Sequence, residues 1–349
     1  MARELKLSHV GIEKVRLDRR TARMTDVAKL ARVSAMTVSR ALRNPEVVTP
    51  KTLKRIEAAI ERTGYLPNRV AGSLSSQRTN VIGLIVPSLR NAAFVKTAQG
   101  VADMLGQRFD LMIAHSGYTL KGEEAAVVAF LSQRVCGMIL HNTRHTPRTR
   151  RLIQEAAVPC VETGNLVSRP IEMTVGFSNR KAARAMTEHL IHQGYRRIGF
   201  VSVPLKENDR AAERRAGYAE ALKKHGLAVD PDIMLEAEAG LKSGGEALVQ
   251  LVTGRRKVDA VFLTDDVLAT GAVLEANRRG WRIPDDIAIA GSDDDEYQQN
   301  VLPPMTSIRF PRYEIGRRAA GMVMDRVLGR PRRRAVVDLG FEIIRRAST

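Results

Sequence analysis

Aromatic residues make up only 4% of the 349-residue chain, and tryptophan occurs once. Because 44% of the residues are hydrophobic, the cores must be aliphatic, and there is enough apolar matter for more than one packed domain. Cysteine is also scarce: Cys136 and Cys160 are the only two. Each sits beside an apolar run, which reads as a small buried thiol in a reducing compartment and excludes a disulfide scaffold. No stretch approaches the ~20 apolar residues of a membrane span. Charge interrupts the N-terminal 23 residues too often for the apolar centre of a secretory signal. A cytoplasmic protein with no membrane partner is expected.

The motifs of catalysis are missing as well. No Gly-x-Gly-x-x-Gly, phosphate-cradling Gly-x4-Gly-Lys-Ser/Thr or Gly-x-Ser-x-Gly turn occurs, so no catalytic centre and no cofactor is expected. His189 and His192 stand three apart, yet no cysteine or acidic partner completes a metal site. The run Asp293-Asp294-Asp295-Glu296 follows an apolar strand and reads as a solvated loop near a cleft, not as a cation site.

What the chain has in excess is positive charge, a net of +18. Residues 1–78 hold 17 Lys and Arg against 7 Asp and Glu, so the density is highest at the N-terminal end. Such an excess favours a polyanionic partner, and its placement suits phosphate contacts.

Residues 1–22 are basic and lack periodicity, which reads as a flexible extension. A helical region follows to about residue 67, then a linker at 68–79. Beyond it, short apolar runs alternate with amphipathic stretches. The runs are Val81–Val86, Leu111–Ala114, Gly137–Leu140, Val158–Val161, Ile198–Val203, Val258–Leu263 and Ile287–Ala290. This alternation predicts parallel sheets with helical crossovers, divided between two α/β lobes.

Within the N-terminal region, Thr25 is placed to cap a first helix with Val27, Ala28 and Leu30 facing inward. Ser34 is the natural N-cap of a second helix, Ala35–Arg43, with Val38, Ala41 and Leu42 inward. Thr49 caps a third, Pro50–Thr63, and Gly64 stands at its C-terminal end. Two short helices joined by a tight turn form a helix-turn-helix, whose second helix enters the major groove of DNA.

These residues carry a resemblance. Thr25-Asp26-Val27-Ala28, Val33-Ser34, Thr37-Val38-Ser39-Arg40 and Gly64-Tyr65-Leu66-Pro67-Asn68-Arg69 are similar to the lactose-repressor family, and the likeness continues to the C-terminus. It implies a dimer on double-stranded operator DNA, with Thr25 and the recognition helix at the interface. The base-reading pair falls on Ala35 and Met36, which offer only apolar contact, for example to a thymine methyl. Arg40 then becomes the residue for guanine readout, and Thr37, Ser39 and Thr52 fit phosphates. The resemblance also implies a hinge helix over Asn68–Ser75, including Arg69 and Ala71, with Leu74 as a minor-groove wedge. At that length it should fold only on DNA.

The same resemblance implies a core like a periplasmic sugar-binding protein. The first lobe would span about 80–177 and 308–333, the second about 178–307 and 334–349. It places an effector among Asn91 and Phe94 of the first lobe and Arg214 and Asp266 of the second. Three stretches, His145–Thr149, Val175–Asn179 and Asp338–Phe341, resemble the gluconate and ketogluconate repressors of the family. A sugar acid is therefore the expected effector. Arg214 or Arg144 would pair with the carboxylate, and Thr146, Asn179, Asn91 and Asp266 would bond hydroxyls. A solute-binding protein would share the lobes but not the basic helix-turn-helix, and a sugar-processing enzyme would need acid/base groups that are not found.

Overall fold

A computed structural model describes residues 22–66, 79–89, 91–331 and 335–349. The chain divides into two compact units, residues 1–76 and 77–349. The extension at 1–21 and the hinge residues Asn68, Arg69, Ala71 and Leu74 lie outside the described residues.

The described part of the first unit holds three α-helices: α1 (Met24–Ala31), α2 (Ala35–Arg43) and α3 (Pro50–Thr63). Val27, Ala28, Ala31, Val38, Ala41, Ile56, Ala59 and Tyr65 close its core. The Ser34 hydroxyl accepts from the Thr37 amide and Thr49 Oγ1 from the Thr52 amide, two caps worth ~1 kcal/mol each. Gly64 ends α3 at φ 64°, a left-handed conformation that costs glycine nothing. Three details depart from expectation. The N-cap of α1 is Arg23, whose amide donates to Asp26, so Thr25 sits exposed inside the first turn. Leu30 and Leu42 are exposed as well, at 41% and 37%. On helices this short, one turn of the apolar stripe suffices for the small core; Ala31 takes the inward place expected for Leu30.

The second unit holds two six-stranded sheets in the orders β11-β5-β4-β3-β1-β2 and β12-β10-β9-β8-β6-β7. The first contains β1 (Val81–Val86), β2 (Asp110–His115), β3 (Gly137–Leu140), β4 (Cys160–Glu162), β5 (Met173–Gly176) and β11 (Val336–Asp338). The second contains β6 (Ile198–Ser202), β7 (Met234–Glu236), β8 (Ala260–Leu263), β9 (Ala288–Ser292), β10 (Thr306–Arg309) and β12 (Glu342–Ile344). All pairings are parallel except β10 with β12. The helices α4 (Ala92–Leu105), α5 (Leu120–Ser132), α6 (Pro147–Ala156) and α12 (Arg312–Val327) cover the first sheet. Around the second lie α7 (Asn179–His192), α8 (Asp209–Lys224), α9 (Leu241–Thr253) and α10 (Asp266–Arg278), with the short α11 (Glu296–Asn300).

The chain crosses between sheets three times, after β5, β10 and β11. The last crossing corrects the expected boundary at 334, because Val336–Asp338 still pairs with β5 in the first sheet. Val336 is exposed and the strand short, which hides its pattern. Across the first lobe, α4 and α12 touch backbone to backbone. A Cβ on Gly100 would meet the Tyr313 carbonyl at 2.0 Å, and one on Gly316 the Thr97 carbonyl at 2.1 Å. No described helix is long and apolar enough to cross a membrane.

Candidate DNA-reading helix and interlobe cleft

Helix α2 exposes Met36 (69%) and Arg40, while Thr37 and Ser39 are half-buried on the same side. Ala35 is half-buried against the three-helix core, so Met36 is the freer of the two expected base readers. Thr52 is half-buried and its hydroxyl accepts from Thr49. Arg55, unremarked in the sequence, donates from Nη2 to the carbonyls of Ala31 and Arg32 and closes the end of α1.

Between the two sheets, the ends of β1, β3, β6, β8 and β9 bound a cavity of about 30 Å³. Ligand crevices of α/β sheets form at these carboxyl ends. Asn91, Phe94 and Arg214 line it, as the sequence led one to expect. Asp266 lies behind the lining: its Oδ1 takes the Asn91 amide at 2.8 Å, and Asp265 takes the same amide at 3.3 Å. Asn179 is also one layer back. It accepts from Arg214 Nε at 2.9 Å and donates to the Gly164 carbonyl, fixing the guanidinium, whose Nη1 bonds the Thr264 carbonyl.

Arg144 and Thr146 are not in the cleft. Arg144 is exposed, and Thr146 caps α6 and donates to Glu124 at 2.6 Å. The connection after β3 turns away from the second lobe after Thr143, and so carries both outward.

Several lining residues went unrecognised in the sequence: Tyr118, His141, Arg210, Asp265, Asp293 and Arg312. The acidic run is not solvated. Asp293, Asp294 and Asp295 are each at most 7% exposed: arginines from elsewhere in the chain reach the first two, and Asp295 caps α11 by accepting from the Gln298 amide. Arg312 donates to Asp293 at 2.8 and 2.5 Å, while Arg309 and Arg346 hold Asp294. Phe177 and Phe310, at two of the crossings, stack with centroids 3.9 Å apart. The Arg312 guanidinium lies 5.1 Å from each ring and that of Arg214 5.5 Å from Phe310, so aromatic faces carry part of the charge.

Burial dominates the electrostatics. It pushes Arg214 down to about 10. It also holds His141 neutral, with Arg210, Arg312 and Arg214 acting in the same sense. Burial raises Asp265 and Asp266 well above the usual carboxylate range, and nearby acidic charge adds to it. Three buried atoms here have no hydrogen-bond partner among the described residues: His141 Nε2, Asp266 Oδ2 and Arg312 Nη1. Unsatisfied buried groups cost ~1–3 kcal/mol each, so their gathering at one cleft marks a place for a polar ligand.

A three-helix DNA-binding unit followed by a two-lobed core with a charged cleft defines a ligand-responsive transcription regulator. Residues 23–68 match the model for bacterial regulatory proteins of the lacI family, and residues 187–349 match a periplasmic binding protein-like domain. The HTH-type transcriptional regulator GntR of Escherichia coli K12 is 36% identical over 321 residues, covering 92% of this chain and 96% of that protein. GntR of Pseudomonas aeruginosa is 35% identical over 329 residues, covering 93% and 95%. A solved LacI-family transcriptional regulator from Silicibacter pomeroyi superposes with a TM-score of 0.85 at 30% identity, covering 94% of this chain and 99% of that one. The chain belongs to the lacI family. It is a DNA-binding transcriptional repressor of that family.

Proposed function

We propose that this protein is a cytoplasmic, dimeric repressor whose interlobe cleft takes a sugar acid of the gluconate or ketogluconate class. The observation that carries this reading is the cleft's polarity. Arg210, Arg214 and Arg312 surround it, and the unpaired Arg312 Nη1 and His141 Nε2 offer polar partners together. A carboxylate suits the arginines, and vicinal hydroxyls suit Asn91 and neutral His141, with Asp266 one layer back holding Asn91. The likeness to two GntR regulators agrees with an effector of this kind.

The protein acts by binding, not by turnover. Met36 and Ala35 meet bases through apolar contact, Arg40 reads guanine, and Thr25, Thr37, Ser39 and Thr52 lie against the backbone. A cavity of about 30 Å³ holds a water or two, so the lobes part to admit the acid. Its differential affinity for the two lobe arrangements is what shifts operator binding.

Calorimetric titration with gluconate, 2-ketogluconate and glucose tests the effector class. Heat with either acid and none with glucose is expected; binding of the neutral sugar alone contradicts the assignment.

A further inference from the structure

The connection between β3 and α6, residues 141–146, is one of the parts of the first lobe that grip the second, beside Asn91 on Asp265 and Asp266. The His141 carbonyl and Asn142 Oδ1 accept from Arg210 at 2.9 and 2.8 Å, and Thr143 donates to Asp209. A residue pointing the other way holds this connection. The side chain of His145 is fully buried, with Nδ1 2.6 Å from Glu123 Oε1 on α5 and Nε2 3.0 Å from Glu162 Oε1 on β4. Carboxylates only accept, so both ring nitrogens donate and the ring is an imidazolium.

We propose that His145, clamped as an imidazolium between Glu123 and Glu162, is a positioning residue that sets the 141–146 connection for closure onto Asp209 and Arg210. This rests on the reading that the cleft binds an effector. His145 does not line the cavity and acts through the backbone that follows Thr143.

The surroundings bind the cluster from each side. Glu162 Oε2 accepts from the Ile171 amide at 2.5 Å. Beside Glu123, Glu124 holds Thr146 and Arg148 at 2.6 and 2.9 Å. From β4 the Cys160 thiol faces the same carboxylates. Burial first, then Glu162, Glu172 and Glu123, push its ionisation up, with Arg150 opposing. Burial works against a charged His145, but its hydrogen bonds to Glu123 and Glu162 outweigh it and hold the group up to about 9. A value raised on folding means the clamp's contribution is complete below about 6.5 and is lost as pH rises through about 9.

Hydrogen-exchange mass spectrometry on the ligand-free full chain would follow residues 141–146 and 209–214 from pH 7 to about 10, with calorimetry against gluconate alongside. Protection beyond the intrinsic pH effect, and gluconate affinity, should fall together as His145 loses its proton. His145→Gln leaves two buried carboxylates against one neutral partner and should weaken gluconate binding at least about tenfold. Should that variant fail to fold, the neutral E123Q/H145Q/E162Q variant keeps amide hydrogen bonds without the charges. It should retain the protected loop with a flat pH profile. An inflection near pH 9 that persists in this variant, or wild-type protection unchanged through that range, overturns the proposal. If wild type does not bind gluconate, the assigned effector fails, and the exchange result decides the role of His145 by itself.

Discussion

The two units treat charge in opposite ways. In the described part of the DNA-binding unit the core is apolar: Val27, Val38, Ile56 and their neighbours are buried, while Arg23, Lys29, Arg32, Arg40, Lys51 and Lys54 stand in solvent. In the core unit, Arg210, Arg214, Arg312, Asp265, Asp266 and Asp293 are each at most 7% exposed around one cavity. Exposed cations draw in a polyanion at long range, are screened by salt, and are individually replaceable. Buried charges are coupled: removing one strands its partners in a low-dielectric site, so the cleft can discriminate ligands sharply and tolerates change badly.

That contrast can be broken from the cleft side first. Arg312→Met would leave Asp293 buried and unpaired, and core stability should fall by ~3–5 kcal/mol in chemical denaturation. Arg214→Met should weaken gluconate binding by ~2–5 kcal/mol in calorimetry while leaving effector-free operator binding intact. On the DNA side the effects should be smaller. Arg40→Ala should cost ~1–3 kcal/mol of discrimination between operator and mutated operator, read by anisotropy at fixed salt. Ser34→Ala should destabilise the DNA-binding unit by ~1 kcal/mol in thermal unfolding, through loss of one cap. Arg144→Ala should change gluconate affinity by less than ~0.5 kcal/mol, because its side chain stands in solvent outside the cleft. An effect as large as that of Arg214 would return Arg144 to the effector site.

The two regions also differ in how much of them could be read from residues alone. Caps such as Ser34 and Thr49, and the αL stop at Gly64, act within a few positions along the chain, so the three helices were legible nearly to the residue. The errors there, Thr25 as a cap where Arg23 stands and Leu30 and Leu42 as core, are matters of one or two positions. Apolar runs located β1, β3 and β6 well, since strands buried on both faces are continuously hydrophobic. β7 and β11 have half-exposed patterns and left no such trace.

The cleft is assembled from side chains far apart in sequence, and there the signal thinned. Asp265 and Asp266 are neighbours, yet only Asp265 lines the cavity, a choice set by the turn into α10. The acidic run at 293–295 looks solvated until Arg309, Arg312 and Arg346 are brought to it. His145 belonged to a stretch similar to the gluconate repressors, but nothing local announced Glu123 and Glu162 on either side of its ring.

The most direct test of the account is fluorescence anisotropy of the full chain on a palindromic operator of the lacI-family type, titrated with gluconate and 2-ketogluconate at constant salt. The account predicts tight, sequence-dependent binding in wild type that one of the acids shifts, and a response lost in Arg214→Met. Binding that ignores both acids, or responds equally in that variant, would contradict the claim that the buried arginine cleft controls the DNA-reading helix.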